Sequence, residues 1–292
     1  MKKIYIEISD ICGLECQFCD TLKGKRGEMD LACFKKAVFE AKKHTKLITL
    51  HILGDPLKVK NLHTYLNIAK EARLNVEITT SGIYLNNFDM LIKPPIKQIN
   101  FSLDAIRELK NAETFLCKIF EFCDFKIQNK SEIFINLRMQ KRAENTALVT
   151  ILENHFKLSN LTQNLFAKSQ NRIKLGNKII IDFRDIFSWS FWDNANKDTS
   201  ITTADFTNDS SDNITFGTCL ALKNHIGILA NGEIVPCCID VYGKLSLGNI
   251  AKISIKSALN STRARKMRSG FDNNIIYEPL CKTCDYRKRF IK

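Results

Sequence analysis

The hydrophobic positions of the first 183 residues alternate between two periods. Ile4, Ile6 and Ile8 alternate with polar residues, which predicts a strand, whereas the apolar positions of 29–43 recur with a helical period. Further strands are predicted at 46–52, 75–78, 96–101 and 132–137, with a sixth at 164–168 or 178–182, and helices at 62–72, 87–92, 105–122 and 146–156. Repeated strand–helix units predict parallel strands joined by right-handed crossovers. Six units are too few for a complete eight-unit barrel, so the predicted fold is α/β, a partial (β/α)6 barrel.

Five motifs follow directly after predicted strands. They are the cysteine loop at 12–19, Gly54-Asp55-Pro56, Thr80-Ser81-Gly82, Ser102-Leu103-Asp104 and Arg138-Met139-Gln140. Each of these motifs alone is a weak signal, because most of them are ordinary turn sequences. The carboxyl ends of parallel strands share one face, where ligands bind, so together the motifs predict a single site.

The cysteine loop has a C-x3-C-x2-C spacing formed by Cys12, Cys16 and Cys19. Three thiolates so close together favour a metal or an iron–sulfur cluster over a disulfide. They are also one ligand short of a closed tetrahedral site. An open position is where a substrate or cofactor binds, so this loop is predicted to be a reactive centre.

A second group of cysteines lies near the other end of the chain. A hairpin predicted across Asn231-Gly232 leads to Cys237 and Cys238, a helix is predicted near 255–269, and a C-x2-C turn ends the group. Cys238 is expected on the opposite strand face from Cys237. Four thiolates are therefore expected to form a closed site that suits either a structural zinc or an iron–sulfur cluster, namely Cys219, Cys237, Cys281 and Cys284.

Composition and charge indicate the cellular compartment of this protein and which partners are disfavoured. The chain has 292 residues, 11 cysteines and a formal net charge of +13. Clustered cysteines and the lack of a signal peptide or a long apolar run predict a cytoplasmic protein with no membrane segment. Lysine is spread along the whole chain, so nucleic-acid binding is disfavoured and rests on charge alone.

Residues 4–140 resemble the core of the radical S-adenosylmethionine (SAM) superfamily. The cysteine motif with Phe18 before its last cysteine matches the family signature. The segment 51–57 resembles the family's Gly-Glu-Pro-Leu, with Asp55 in place of Glu. Thr80-Ser81-Gly82 resembles its Thr-Asn-Gly turn, with Ser81 in place of Asn, and 101–105 resembles its Ser-Leu-Asp-Gly segment.

This resemblance implies a set of cofactors and contacts. A 4Fe–4S cluster would be held by Cys12, Cys16 and Cys19, and its open iron would bind SAM, which is cleaved reductively to a radical that abstracts a substrate hydrogen. Backbone around Gly54 and Asp55 would meet the methionine amino group, and Arg138 would clamp a carboxylate. The full set of SAM-binding residues implied in this way is Phe18 near the adenine, Gly54, Asp55, Ser81, Ser102, Asp104 and Arg138.

Residues 217–292 resemble the auxiliary-cluster domain of the SPASM/Twitch subfamily. The spacing from Gly232 to Cys237, the run 236–240 and the final C-x2-C match it. No cysteine follows Cys284, which implies the Twitch form with one auxiliary 4Fe–4S cluster, as in the twitch-type alcohol dehydrogenases of aminoglycoside biosynthesis. The predicted organisation is thus a radical SAM core at 1–183, a linker or lid at 184–216 and a small α+β iron–sulfur domain at 217–292.

The resemblance implies an enzyme that takes hydrogen from a substrate carbon, with net oxidation if the auxiliary cluster accepts an electron. Its substrate would be a small polyol or sugar-like metabolite, or a peptide side chain. The lack of a domain before Cys12 counts against leader-peptide recognition. A flavodoxin- or ferredoxin-type reductant is implied as partner. The rivals are an RNA-modifying radical SAM enzyme and a non-catalytic iron–sulfur electron carrier, which would need no SAM contacts.

Overall fold

The structure, a computed structural model, describes residues 1–16, 18–19, 25–107, 109–166, 171–186 and 215–290. Its strands are β1 Lys3–Ile6, β2 Leu47–Thr49, β3 Asn75–Thr80, β4 Ile96–Ser102, β5 Phe134–Gln140, β6 Arg172–Gly176, β7 Ile179–Arg184, β8 His225–Ile228 and β9 Ile234–Val235. Its helices are α1 Leu31–Ala41, α2 Leu62–Glu71, α3 Phe88–Leu91, α4 Leu103–Arg107, α5 Ala112–Gln128, α6 Thr146–Phe156, α7 Leu161–Phe166, α8 Ile255–Leu259, α9 Thr262–Asp272 and α10 Pro279–Lys282. Short 3₁₀ turns occur at Pro56–Lys58, Ala143–Asn145 and Asp285–Phe290.

The strands form one sheet in the order β6-β7-β5-β4-β3-β2-β1-β8-β9. Neighbouring strands from β1 to β5 pair in parallel, and β5 pairs in parallel with β7. This arrangement confirms the predicted partial (β/α)6 barrel. The sixth parallel strand is the β-branched run Ile179–Arg184, which was one of the two candidates. The other candidate, 164–168, is wrong, because its first three residues end helix α7.

The sheet has one apolar and one polar face because side chains alternate along each strand. Ile4, Ile78 and Ile99 are fully buried and belong to the apolar core. The opposite face carries polar side chains that lie next to one another in the strand register, since Thr49 pairs with Glu77 and Asn100 pairs with Asn136. A polar face of this kind gives the sheet a surface that can bind a ligand.

Two predicted helices are each divided in two. The helix predicted at 105–122 is α4 followed by α5. The Asp104 carboxylate, in the first turn of α4, accepts a hydrogen bond from Gln140 N at the end of β5. The helix predicted at 255–269 is α8 followed by α9, because the Ser261 side chain accepts a hydrogen bond from Ala264 N and caps a new helix. In the second case a local polar contact ends a continuous helical pattern.

The cysteine-rich C-terminal part continues the core sheet. Strand β8 pairs in parallel with β1, and β8 and β9 form the predicted hairpin around Asn231-Gly232. The predicted domain boundaries stay predictions, and most of the proposed linker or lid, at 187–214, lies outside the described residues. No helix in the described ranges is long and apolar enough to cross a membrane.

The carboxylate of Glu7 joins four segments of this fold. It is fully buried and accepts hydrogen bonds from Arg26 Nε and Nη2, each at 2.9 Å. It also accepts from Leu53 N after β2 and from Ala230 N in the C-terminal hairpin, each at 3.0 Å. Arg26 in turn donates to Val241 O at 3.0 Å. The end of β1, the segment after the cysteine loop, the β2 loop and the C-terminal part therefore meet at one side chain.

Replacing this carboxylate is predicted to destabilise the whole chain. Glu7→Gln leaves Arg26 buried without its bidentate partner, and breaking a buried pair costs about 3 kcal/mol. The measurement is the free energy of unfolding from anaerobic urea titration. The control is Asp89→Asn, which breaks an exposed ion pair with Lys93 at 3.6 Å and is expected to cost about 0.5 kcal/mol or less. Equal effects of the two changes would contradict the role assigned to Glu7.

Candidate functional site

The cysteine loop is closed at its base by the carboxylate of Asp10. This buried group accepts hydrogen bonds from Arg26 N and Gly27 N, both at 2.9 Å, and so ties the two ends of the loop together. Within the loop, Cys19 N donates to Cys16 O at 3.0 Å. Cys16 is buried, whereas Cys12, Cys19 and Phe18 are half-buried. The three thiols predicted as cluster ligands are thus held on one short, anchored loop.

Asp55 connects this loop region to the turn after β3. Its Oδ2 accepts from Thr80 Oγ1, Ser81 N and Ser81 Oγ at 2.7–2.9 Å, and its Oδ1 accepts from Leu57 N at 3.0 Å. Its backbone N donates to Ile11 O at 3.1 Å. The predicted site residues Asp55 and Ser81 therefore bond to each other, and the carboxylate positions two loops.

Gly54 allows the β2 loop to approach the cysteine loop. Its φ is +67°, a conformation that residues with a Cβ rarely adopt. A Cβ at this position would collide with the backbone of Ser9 and Asp10. The glycine of the motif is thus required by close backbone contact at the base of the cysteine loop.

The Asp104 carboxylate fixes the end of β5 and the loop after it, as the Asp55 carboxylate fixes the loops after β2 and β3. Asp104 is 3% exposed and accepts from Gln140 N at 2.8 Å and from Asn145 Nδ2 at 2.9 Å. Burial raises the pKa of its carboxyl, against the lowering effect of these donors. Ser102, at the end of β4, is half-buried and pairs in register with Arg138. Asp104 thus positions backbone, while Ser102 lies at the strand end.

Arg138 uses its terminal donors within the protein. Its Nη1 donates to Thr79 Oγ1 at 3.1 Å and its Nη2 to Glu77 Oε1 at 3.2 Å. Its Nε is buried and has no partner among the described residues. Burial and the charge of Arg184 lower the pKa of this guanidinium to about 10. Two of the five guanidinium N–H donors are thus used within the protein, and the predicted role of Arg138 as a carboxylate clamp stays a prediction.

The four C-terminal cysteines of the predicted closed site line one cavity, together with apolar side chains such as Ile239 and Met267. Burial raises the pKa of all four thiols, in the case of Cys284 to about 11. Cys238 does not line the cavity, and its thiol instead forms a hydrogen bond with the Tyr5 hydroxyl. The cavity is lined by Cys219, Cys237, Cys281 and Cys284, as the spacing predicted.

The four thiols around this cavity supply a donor set that suits a cubane cluster. Four thiolates also suit a structural zinc. The donor set therefore fits the auxiliary 4Fe–4S cluster that the sequence implied without deciding between the two groups.

Comparison with known proteins agrees with this geometry. The family model of the SPASM iron–sulfur cluster-binding domain matches residues 219–285. Three solved structures share the fold, at TM-scores of 0.52 to 0.61 and 14–17% identity. The chain has the radical SAM fold and carries a SPASM domain. The recognition made from the sequence motifs is confirmed by the SPASM match and the shared fold, and the BtrN and anSMEcpe structures contain AdoMet.

The three structures differ in what they contain. BtrN in complex with AdoMet and 2-DOIA has a TM-score of 0.52 and 17% identity, covering 97% of this chain and 92% of that one. The anSMEcpe structure with bound AdoMet has a TM-score of 0.61 and 14% identity, with coverages of 99% and 90%. Streptococcus suis SuiB bound to the precursor peptide SuiA has a TM-score of 0.59 and 16% identity, with coverages of 97% and 70%.

A sequence relative is the tungsten-containing aldehyde ferredoxin oxidoreductase cofactor-modifying protein of Pyrococcus furiosus. It is 25% identical over 120 residues, which are 39% of this chain and 34% of the relative. The match therefore spans about a third of that protein's length.

The polar face of the radical SAM sheet holds candidate residues that the sequence motifs missed. Glu77 accepts from Lys3 Nζ at 3.0 Å and from Asn100 Nδ2 at 2.8 Å, in addition to Arg138. Burial would raise the pKa of Glu77, but the ion pairs with Lys3 and Arg138 outweigh it and hold that pKa below its usual value. Asn136 is buried and its Oδ1 has no partner among the described residues. The signal for these residues was present as polar side chains at alternate positions of β3, β4 and β5.

His51 stands at the edge of the same face. Its Nδ1 lies 3.0 Å from Thr49 Oγ1, and its ring meets the Tyr5 ring edge-to-face at 5.9 Å. Burial, with the nearby charge of Arg138, lowers the pKa of His51 to about 3, so the imidazole is neutral near pH 7. It adds an uncharged polar group beside the charged network of Lys3, Glu77 and Arg138.

The close approach at Gly54 makes a specific prediction. Gly54→Ala is expected to lower the free energy of unfolding by about 2 kcal/mol or more, because a left-handed conformation alone costs about 1–2 kcal/mol and the new Cβ also overlaps backbone. Gly27→Ala is the control, since Gly27 has a φ of +75° but a Cβ added there would meet no atom within 4 Å. Urea titration of both variants gives the comparison, and a Gly27 effect as large as that of Gly54 would contradict the steric argument.

The two adjacent cysteines provide a matched test of the auxiliary site. Anaerobically reconstituted protein is expected to bind about eight irons per chain, and Cys237→Ala about four, because a cubane cluster that loses a ligand in an apolar cavity is not retained. Cys238→Ala is expected to keep the full iron content, since its thiol lies outside the cavity. Iron and sulfide analysis measures both, and iron loss only in Cys238→Ala would overturn the ligand assignment.

Proposed function

We propose that this chain is a radical SAM enzyme that cleaves SAM reductively and abstracts a hydrogen atom from a bound substrate. The observation that carries the proposal is the arrangement of the strand-end motifs. Asp55 bonds the loop after β2 to the turn after β3, and Asp104 bonds the segment after β4 to the end of β5 and to Asn145 in the loop that follows it. These loops and the cysteine loop follow parallel strands and so share one edge of the sheet.

The chain's own groups would each have a defined task at this edge. Cys12, Cys16 and Cys19 would hold a 4Fe–4S cluster with one open position. When bound, the cluster and SAM supply a 5′-deoxyadenosyl radical. Backbone of Gly54 would face the methionine part of SAM, because the Asp55 side chain is occupied by Thr80, Ser81 and Leu57. Ser102 and Phe18 are the remaining candidates for contacts with SAM.

The substrate is proposed to lie over the polar face of the sheet. Arg138 Nε is a donor and Asn136 Oδ1 an acceptor, and both are buried without partners among the described residues. Buried polar groups need hydrogen-bond partners, and a hydroxyl group can satisfy either atom because it both donates and accepts. This pair supports a substrate with hydroxyl groups, such as a small polyol or sugar-like metabolite, in line with the small-molecule ligand named for BtrN.

A peptide side chain is the second candidate substrate. It is supported by the fold shared with SuiB, which was solved with its precursor peptide SuiA. In either case we propose a net oxidation, in which the auxiliary cluster of Cys219, Cys237, Cys281 and Cys284 takes up one electron from the substrate. The reductant proposed for SAM cleavage is a flavodoxin- or ferredoxin-type protein, which places the enzyme in a reducing compartment such as the cytoplasm.

The non-catalytic carrier and the RNA-modifying enzyme are less well supported. A non-catalytic electron carrier would not need strand-end loops that Asp55 and Asp104 bond together on one face. The RNA-modifying alternative rests on the net charge of +13. On the polar face, however, neighbouring charges such as Lys3 and Glu77 pair with each other within the protein.

Reductive cleavage of SAM tests the proposal directly. Reconstituted protein with dithionite and SAM is expected to form 5′-deoxyadenosine, measured by liquid chromatography. Cys16→Ala is expected to reduce the rate by at least about a hundredfold, because each of the three thiolates is needed to hold the cluster.

Cys117→Ala is the matched control for this experiment. Cys117 is exposed on helix α5, away from both cysteine groups, so its removal is expected to leave SAM cleavage unchanged. If the wild-type protein forms no 5′-deoxyadenosine, or forms it at the same rate as Cys16→Ala, the enzyme proposal fails.

A further inference from the structure

A groove beside the cysteine loop has no part in binding SAM or substrate as proposed above. It runs between the turn Pro56–Lys58, the start of helix α2 and helix α3. Its base is apolar and includes Leu57, Leu62 and Leu91. Its polar lining includes Lys58, Lys60, His63 and Tyr84.

One wall of the groove touches the cysteine loop. Gly13, next to Cys12, has a φ of +82°, and a Cβ on it would overlap the Tyr84 hydroxyl and Lys58 Nζ. The Lys58 ammonium also lies 5.3 Å from the centre of the Tyr84 ring, close enough for a cation–π contact. The groove and the proposed cluster are therefore separated by little more than the loop that carries Cys12.

The charge of the groove has one sign. Lys58, Lys60 and His63 line it, and none of the described lining residues is acidic. The acid on helix α3, Asp89, forms an ion pair with Lys93 at 3.6 Å, so it adds little to the field of the groove. Lys60 is exposed, which leaves its charge available to a partner.

We propose that this groove is the docking surface for an acidic, low-potential electron-transfer protein of the flavodoxin type. The inference rests on the proposed function, because reductive cleavage of one SAM consumes one electron. That electron would come from a flavodoxin hydroquinone, which becomes the semiquinone. A basic rim around an apolar base matches the polar rim and apolar centre of transient protein interfaces, and its charge complements an acidic partner.

The experiment compares two reductants on the same holoenzyme. A purified acidic flavodoxin in its hydroquinone form is the docking reductant, and dithionite is the small-molecule reductant that needs no protein surface. Lys58→Glu/Lys60→Glu is expected to weaken flavodoxin binding and flavodoxin-driven SAM cleavage roughly tenfold at low salt, because rim charges control association. The dithionite-driven rate is expected to stay within about twofold of wild type, since dithionite needs no docking surface.

The matched control is Lys174→Glu/Lys252→Glu, which makes the same charge change at two exposed lysines that do not line the groove, on β6 and after β9. The docking proposal would be overturned if flavodoxin-driven SAM cleavage fell equally in the control, or did not fall in the groove variant. It would also be overturned if the groove variant lost dithionite-driven cleavage. The neutral variant Lys58→Gln/Lys60→Gln should give a smaller loss in the same direction. Absence of dithionite-driven cleavage in the wild type would instead refute the enzyme proposal, while flavodoxin binding would still test the groove.

Discussion

The buried carboxylate of Glu7 is the contact on which the arrangement of both cysteine groups depends. Four hydrogen bonds reach it, two from Arg26 and one each from Leu53 N and Ala230 N. A carboxylate can be buried only if its charge is paired and its lone pairs are satisfied, so separating these partners costs free energy. The radical SAM core and the SPASM domain are therefore joined by an ionic contact at the end of β1 as well as by the pairing of β1 with β8.

Carboxylates also hold the loops of the proposed SAM site. Asp10, Asp55 and Asp104 each accept hydrogen bonds from backbone N–H groups of a neighbouring segment. Because their oxygens are used in this way, the surface they leave for SAM is largely backbone. This explains how Asp can stand where the family motif has Glu. The side chain fixes the loop, and under the proposed function the loop would present main-chain atoms to SAM.

A row of three rings leads from the four-cysteine cavity to the polar face of the sheet, namely His225 on β8, Tyr5 on β1 and His51 after β2. Tyr5 meets His51 at 5.9 Å on one side and His225 at 5.7 Å on the other, both edge-to-face. His225 lines the four-cysteine cavity, and His51 borders the polar face proposed for the substrate. Pairing of β8 with β1 thus brings the four-cysteine cavity near the face proposed for the substrate, which would suit the proposed electron transfer to an auxiliary cluster.

The order of residues was enough to predict the strand–helix alternation, the hairpin at Asn231-Gly232 and the four-cysteine group. Short-range periodicity, turn residues and cysteine spacing are local properties of the chain, so they can be recognised before it folds. Which side chains meet across the sheet depends instead on the folded arrangement. Lys3, Glu77 and Arg138 come from three strands, and the strand register makes them one network. The fold likewise decides that Asp55 and Asp104 bond to protein backbone. The sequence motif is identical whether a ligand or the chain itself supplies the hydrogen-bond donors to the carboxylate.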